Sequence, residues 1–123
     1  MVAGKTATSE DACNWCAAAV AAENRYAVTE IALARELSFC RLEHIVPWVI
    51  REKRRERGMI AAVDDAVAKT LLEEAGDCAE CGSVPQDGAV VLVHERSGER
   101  ILDAFCSLEH LRAWASAGGH WAR

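Results

Sequence analysis

The six cysteines of this 123-residue chain fall into two sets, and a histidine completes each. Cys13 and Cys16 form a C-x-x-C pair, followed by 23 intervening residues and then Cys40 and His44. Cys78 and Cys81 form a second pair, followed by 24 intervening residues and then Cys106 and His110. No cysteine is left over. Three thiolates and one imidazole suit a tetrahedral Zn²⁺, a borderline-soft ion that takes sulfur and nitrogen together. A lone C-x-x-C says little, but two complete sets at matched spacing predict two zinc ions per chain. The competing use of six cysteines is three disulfides, in any of 15 pairings. The N-terminal "MVAGKTATSED" has no apolar core of a secretory signal, and thiols that stay inside a cell stay reduced. The expectation is a cytoplasmic protein. No apolar run approaches the roughly 18 residues of a membrane-spanning helix.

The closing ligands of each set lie in a phrase written twice. "SFCRLEHIVPW" runs from Ser38 to Trp48, and "AFCSLEHLRAW" from Ala104 to Trp114. Six of the eleven positions are identical, and a seventh matches Ile45 with Leu111. Both phenylalanines of the chain and two of its four tryptophans fall in these phrases. Cys106, His110 and Trp114 are spaced i, i+4, i+8, which predicts a helix from Cys106 to about Ala117 with all three on one face. Its free amides and positive dipole end would favour ionised thiols, and Glu109 in the first turn suits that dipole. Trp114 would cover the site against water.

These ligands need elements to hold them. A tight turn at C-x-x-C brings two sulfurs to one ion, and Gly82 after Cys81 accepts the bend. Ala89–Glu95 reads as a strand, "RSGE" with Gly98 as a turn, and Ile101–Phe105 as the returning strand. In the first set Ala17 stands where Gly82 stands in the second. There "AAAVAAEN" is helix-prone, so Cys13 and Cys16 sit either in a similar knuckle or at i, i+3 on a helix. Pro47 replaces Ala113 of the second phrase. It removes an amide and clashes with the carbonyl near Glu43, which predicts a ligand-bearing turn, a kink, and a new helix from Pro47 to Arg57 with Gly58 as its cap. Between the sets, Val63, Val67 and Leu71 recur at helical spacing and Gly76 closes the segment.

Knuckle, hairpin, then a helix that donates the last two ligands is the treble-clef arrangement. Residues 78–114 resemble the TRASH and MYM-type zinc fingers, and residues 13–48 do so more weakly. The resemblance extends to a small zinc-binding protein of the archaeal and eukaryotic large ribosomal subunit. It is carried by the C-x-x-C-G of Cys78 to Gly82, the hairpin, and the F-C-S of Phe105 to Ser107. Those families commonly place Cys where this chain has His110. The expected fold is therefore α+β: a first zinc module with a basic helix end (9–58), a helical connector (59–76) and a second zinc module (77–123).

Charge bears on partners. The formal net charge is −5, which argues against a general nucleic-acid binder. It is unevenly spread: "REKRRER" at 51–57 carries five positive and two negative charges, whereas 64–80 carries Asp64, Asp65, Glu73, Glu74, Asp77 and Glu80 against Lys69 alone. Four ligands per set leave no open position for catalysis, and no phosphate loop or nucleophile–base motif appears. His94 and His120 have no counterpart in the other set and read as ordinary surface or packing residues. The function expected is a non-catalytic structural zinc protein that mediates protein contact or self-association. Two alternatives stand beside it. One is a nucleic-acid-binding regulator using Arg51, Lys53, Arg54, Arg55 and Arg57. The other is a metal or redox sensor with one labile site.

Overall fold

The computed structural model describes residues 12–21, 24–51, 60–85 and 88–119. The strands are β1 (Asn24–Glu30), β2 (Arg35–Phe39), β3 (Ile60–Ala62), β4 (Val90–Arg96) and β5 (Glu99–Phe105). The helices are α1 (Ile45–Ile50), α2 (Asp65–Ala75) and α3 (Leu108–Ser116). All strands join one antiparallel sheet in the order β3-β2-β1-β4-β5. The chain is thus a mixture of helix and sheet, and the hairpins that precede the two ligand phrases share that sheet through β1 and β4.

The sheet order follows from where apolar residues fall. Val90, Val91, Leu92 and Val93 are all buried, as expected for a central strand covered on both faces. One face carries Val28, Leu37, Phe39, Val90, Leu92 and Phe105 into a core shared with Ile45, Trp48, Leu111 and Trp114. On the other, Ala27, Val91 and Val93 pack with Leu71, Leu72 and Ala75 of α2 and with Leu102. In each ligand phrase the tryptophan closes onto the phenylalanine: Phe39–Trp48 and Phe105–Trp114 have centroids 5.1 Å apart, both edge-on or tilted. Such pairs contribute about 0.5–1.5 kcal/mol beyond their buried area. What Trp114 covers is thus Phe105, one residue before Cys106.

The two hairpins turn differently. Ser97 and Gly98 (φ 51° and 88°) make a two-residue turn closed by the Arg96–Glu99 pair, the left-handed geometry that matches strand twist. The β1–β2 loop spans four residues, 31–34, with Ala34 at φ 50°.

Three expectations need correction. The helix expected from Pro47 begins instead at Ile45, after a 3₁₀ turn over Leu42–His44. A helix begun at Leu42 would ask Pro47 for an amide it lacks; begun at Ile45, Pro47 falls in the first turn, where no amide is required. The rest of that expected helix, beyond Arg51, and Gly58 lie outside the described residues. The connector is not helical throughout, because Ile60–Ala62 pairs with the outer edge of β2. Helix α2 begins only after Asp64, whose Oδ1 accepts the Ala66 amide at 2.8 Å. Its inward face is Ala68, Leu71, Leu72 and Ala75, and Val67 is 51% exposed. Lastly, α3 starts at Leu108, so Cys106 precedes the helix rather than sharing its face.

Candidate metal centres

Each C-x-x-C is a knuckle, which resolves the alternative left open for Cys13 and Cys16. The Cys13 amide donates to Ala18 O and the Ala17 amide to Cys13 O, each at 2.8 Å. The Cys78 amide donates to Ser83 O and the Gly82 amide to Cys78 O, again at 2.8 Å. The residue after the second cysteine is left-handed in both: Ala17 at φ 68°, Gly82 at φ 82°. Helix propensity in "AAAVAAEN" loses to this closure and to anchoring on the sheet. The Asn14 amide donates to Ser38 O, and the Ala79 amide to Ala104 O, both at 2.8 Å. Asn14 adds a side-chain bond to the same carbonyl at 3.3 Å and is fully buried.

The closing ligands come from the opposite end of each hairpin. Cys40 follows β2 and His44 ends the 3₁₀ turn; Cys106 follows β5 and His110 lies in the first turn of α3. Ser107 caps α3, its hydroxyl accepting the amide of His110 at 3.3 Å. Arg41 occupies the corresponding place before His44 and makes no side-chain cap. A serine just ahead of an apolar-periodic run is a readable start signal, and it was the missed clue to where α3 begins.

The structure brings together Cys13, Cys16, Cys40 and His44, and separately Cys78, Cys81, Cys106 and His110, with the donor atoms of each group within 4.8 Å of one another. Cys13 Sγ is 3.6 Å from His44 Nδ1, Cys40 Sγ is 3.3 Å from it, and Cys16 Sγ is 3.7 Å from Cys40 Sγ. In the second group, Cys78 Sγ is 3.6 Å from His110 Nδ1 and Cys81 Sγ is 3.6 Å from Cys106 Sγ. Both imidazoles turn Nδ1 inward. Burial follows the same order in both: the first cysteine buried, the second exposed, the third and the histidine between. Four soft donors facing one point, twice, can each hold a metal ion.

Without an ion, three crowded thiols cannot ionise alike. At Cys16 burial opposes the thiolate, but hydrogen bonds from the Ala18 amide and from Cys40 and Cys13 outweigh it, and the pKa falls. Burial likewise opposes ionisation at Cys78, and amides of the knuckle, Cys81 first, bring its pKa down. The Ser83 amide lowers that of Cys81. At the third cysteines burial and the neighbouring thiols act the other way. Burial, then the hydrogen bond with Cys16, pushes Cys40 up to about 12. The hydrogen bond with Cys81 comes first in pushing Cys106 up to about 11. Cys16 in the first cluster and Cys78 and Cys81 in the second are thus easier to ionise than the third cysteines, Cys40 and Cys106, whose protons a bound cation would displace.

His94 packs, as expected: it is buried, stacks on Tyr26 at 4.1 Å, and its Nε2 lies 3.0 Å from Asn24 Oδ1. His120 lies outside the described residues. Of the basic run, Arg51 is exposed at the end of α1, and Lys53, Arg54, Arg55 and Arg57 lie outside the described residues. Alternation alone gave no sign of Arg25, which bridges Glu36 of β2 at 3.0 Å and Glu95 of β4 at 3.1 Å. It ties the two hairpins together on the face opposite the larger core. No helix among the described residues is long and apolar enough to cross a membrane. No family profile, no curated protein and no solved structure matches the chain.

Proposed function

We propose that this is a non-catalytic zinc protein, binding two Zn²⁺ as structural staples and presenting its surface to protein partners. The observation that carries the metal reading is donor spacing. Zn–S bonds of about 2.3 Å and Zn–N bonds of about 2.0–2.1 Å at tetrahedral angles place sulfurs about 3.8 Å apart and sulfur about 3.6 Å from nitrogen. The Cys16–Cys40 and Cys13–His44 separations are 3.7 and 3.6 Å. Cys81–Cys106 and Cys78–His110 are both 3.6 Å. Zinc would supply charge neutralisation for the thiolates and a rigid joint between knuckle and helix. Four protein ligands close the sphere, whereas a catalytic zinc keeps a position for water. The order knuckle, hairpin, ligand-bearing turn and helix supports a treble-clef reading of each unit, akin to the TRASH and MYM-type fingers. The acidic total supports protein over nucleic acid as partner.

Elemental analysis of protein purified without added metal tests the first half: two zinc per chain is expected, and one or none, with disulfides found by mass spectrometry, refutes it. Affinity capture compares the zinc-loaded chain with a Cys16→Ser, Cys81→Ser double variant. Partners are expected on the former alone. Salt-sensitive binding of random-sequence DNA by the wild type would refute protein contact and return the role to residues 51–57.

A further inference from the structure

The two outer edges of the sheet are built alike up to a point and then differ. On β2 the knuckle takes Ser38 O, and β3 pairs with the next three residues, in the register Leu37–Ile60, Glu36–Ala61, Arg35–Ala62. On β5 the other knuckle takes Ala104 O. The positions that correspond to Leu37, Glu36 and Arg35, at the same offset of 66 as Ser38 and Ala104, are Asp103, Leu102 and Ile101. No strand among the described residues lies beside them. The two-residue turn fixes which groups face out. Arg96 and Glu99 close it, so Glu99, Ile101, Asp103 and Phe105 bond to β4, and Arg100, Leu102 and Ala104 turn their amides and carbonyls outward. The Ala79–Ala104 bond confirms this parity.

We propose that the outer edge of β5 accepts a sixth strand from a partner protein: an extended, basic segment running antiparallel to β5. This rests on the protein-contact reading above and names its surface. Main-chain bonds at Arg100 and Leu102 supply the register, as in other strand additions. A groove of about 300 Å³ runs beside the edge, lined by Val67, Thr70, Leu71, Glu74 and Arg100, and receives alternate side chains of the incoming strand. Val67, 51% exposed, is the groove's apolar contact, and Ile101, 37% exposed, offers a second on the opposite face of β5. Charge selects the occupant. Glu74 lines the groove and pairs with Arg100 at 3.5 Å, and the elements that border the edge are acidic: exposed Asp64, Asp65 and Glu73 on α2 and its cap, Asp77 and Glu80 at the knuckle and Glu99 on β5 itself, against Lys69. A second copy is a poor occupant, since antiparallel β5 pairing centred on Ile101 sets Glu99 against Asp103. Centring on Leu102 instead runs into the knuckle at Ala104. Residues 1–11 of this chain carry Lys5 against Glu10 and Asp11, the wrong balance.

The test uses the full, zinc-loaded, ¹⁵N-labelled chain and a capped synthetic peptide, KKIAAVKK, which is the sequence of Ile60–Val63 flanked by lysines. Binding is expected to shift and protect from exchange the amides of Arg100 and Leu102. Arg100→Pro removes an outward amide and no bond to β4, and proline is tolerated on an edge strand. It also deletes a positive charge, so electrostatics alone would tighten the complex. At least about a tenfold loss of affinity in Arg100→Pro, with Arg100→Ala as tight as wild type or tighter, supports strand addition. No shift at millimolar peptide, or shifts on α2 without amide protection, overturns it. So does a concentration-dependent dimer that Arg100→Pro abolishes, which gives the edge to a second copy. Metal content and partner capture are read on the same preparations, so loss of the edge proposal is distinguishable from loss of the zinc or protein-contact reading.

Discussion

Exchanging the residues at the two left-handed knuckle positions separates backbone strain from everything else at the metal sites. Ala17 and Gly82 occupy the same place, at φ 68° and 82°. Ala17 is exposed, so losing its methyl opens no cavity. At Gly82 nothing lies within 4 Å of where a Cβ would stand, so Gly82→Ala adds no clash. Only φ is left. Left-handed backbone costs alanine about 1–2 kcal/mol. Glycine gives back about 0.4–1 kcal/mol through its freer unfolded chain. The balance favours Ala17→Gly by about 0.8 kcal/mol, or about 3–4 °C in Tm for a domain of this length. Gly82→Ala should lose a similar amount. Because metal binding and folding are coupled, the same energy should tighten the first site about fourfold in competition with a chromophoric chelator. Thermal unfolding at fixed zinc excess and the chelator titration measure the two effects independently. Destabilisation by Ala17→Gly, or no effect of Gly82→Ala, would refute the knuckle geometry as the cause.

Other perturbations follow from the same features. Arg41 already has the extended backbone of a cap (φ −156°, ψ 157°) but no capping oxygen, so Arg41→Ser should gain about 0.5–1 kcal/mol and Ser107→Ala should lose about 1 kcal/mol, read by denaturant unfolding. Cys40→Ser should loosen its unit locally, because β3 and the Arg25 ion pairs still hold β1 and β2; Cys106→Ser should release β5 more widely, and hydrogen exchange showing the reverse order would contradict this. Chelation of the metal should abolish the cooperative thermal transition and zinc should restore it; a native near-ultraviolet spectrum without metal would count against the stapling role. Burial first, then Arg96, holds the His94 imidazole below its ordinary value. The unfolded chain therefore takes up this proton first, and the stability it confers is complete above about pH 6.5 and declines below. His94→Gln should flatten the fall of Tm below about pH 6.5, and an unchanged slope would show that His94 is not responsible.

The two groupings of three cysteines and a histidine, the α+β mixture and the second hairpin could be read from spacing, because C-x-x-C pairs and two-residue turns are local codes. Helix limits could not. Pro47 was seen to interrupt a helix, but where the helix restarted depended on which carbonyl the chain could leave unbonded. Val67 shares the helical period of Val63 and Leu71, yet α2 turns Ala68, Leu71 and Leu72 inward, because the surface it covers is made by Ala27, Val91 and Val93 from distant parts of the chain. The sequence places Ile60–Ala62 in a helical connector because the segment has no strong preference of its own; pairing with the open edge of β2 makes it a strand. The pairing of β1 with β4 joins residues about 70 apart and has no local signal at all.

That pairing sets Val28 against Leu92, each of which lies two residues along from the strand partner of a ligand phrase's phenylalanine: Tyr26 opposite Phe39, Val90 opposite Phe105. The two halves meet as the subunits of a symmetric dimer would, but within one polypeptide. Tethering fixes their mutual concentration near the millimolar range whatever the abundance of the protein. An association between separate chains at micromolar levels would need about 4 kcal/mol more from the same contact. Relieved of that demand, and of the requirement that both halves be the same, the chain can treat its two ends differently: β3 seals the edge of β2, and no strand among the described residues seals that of β5.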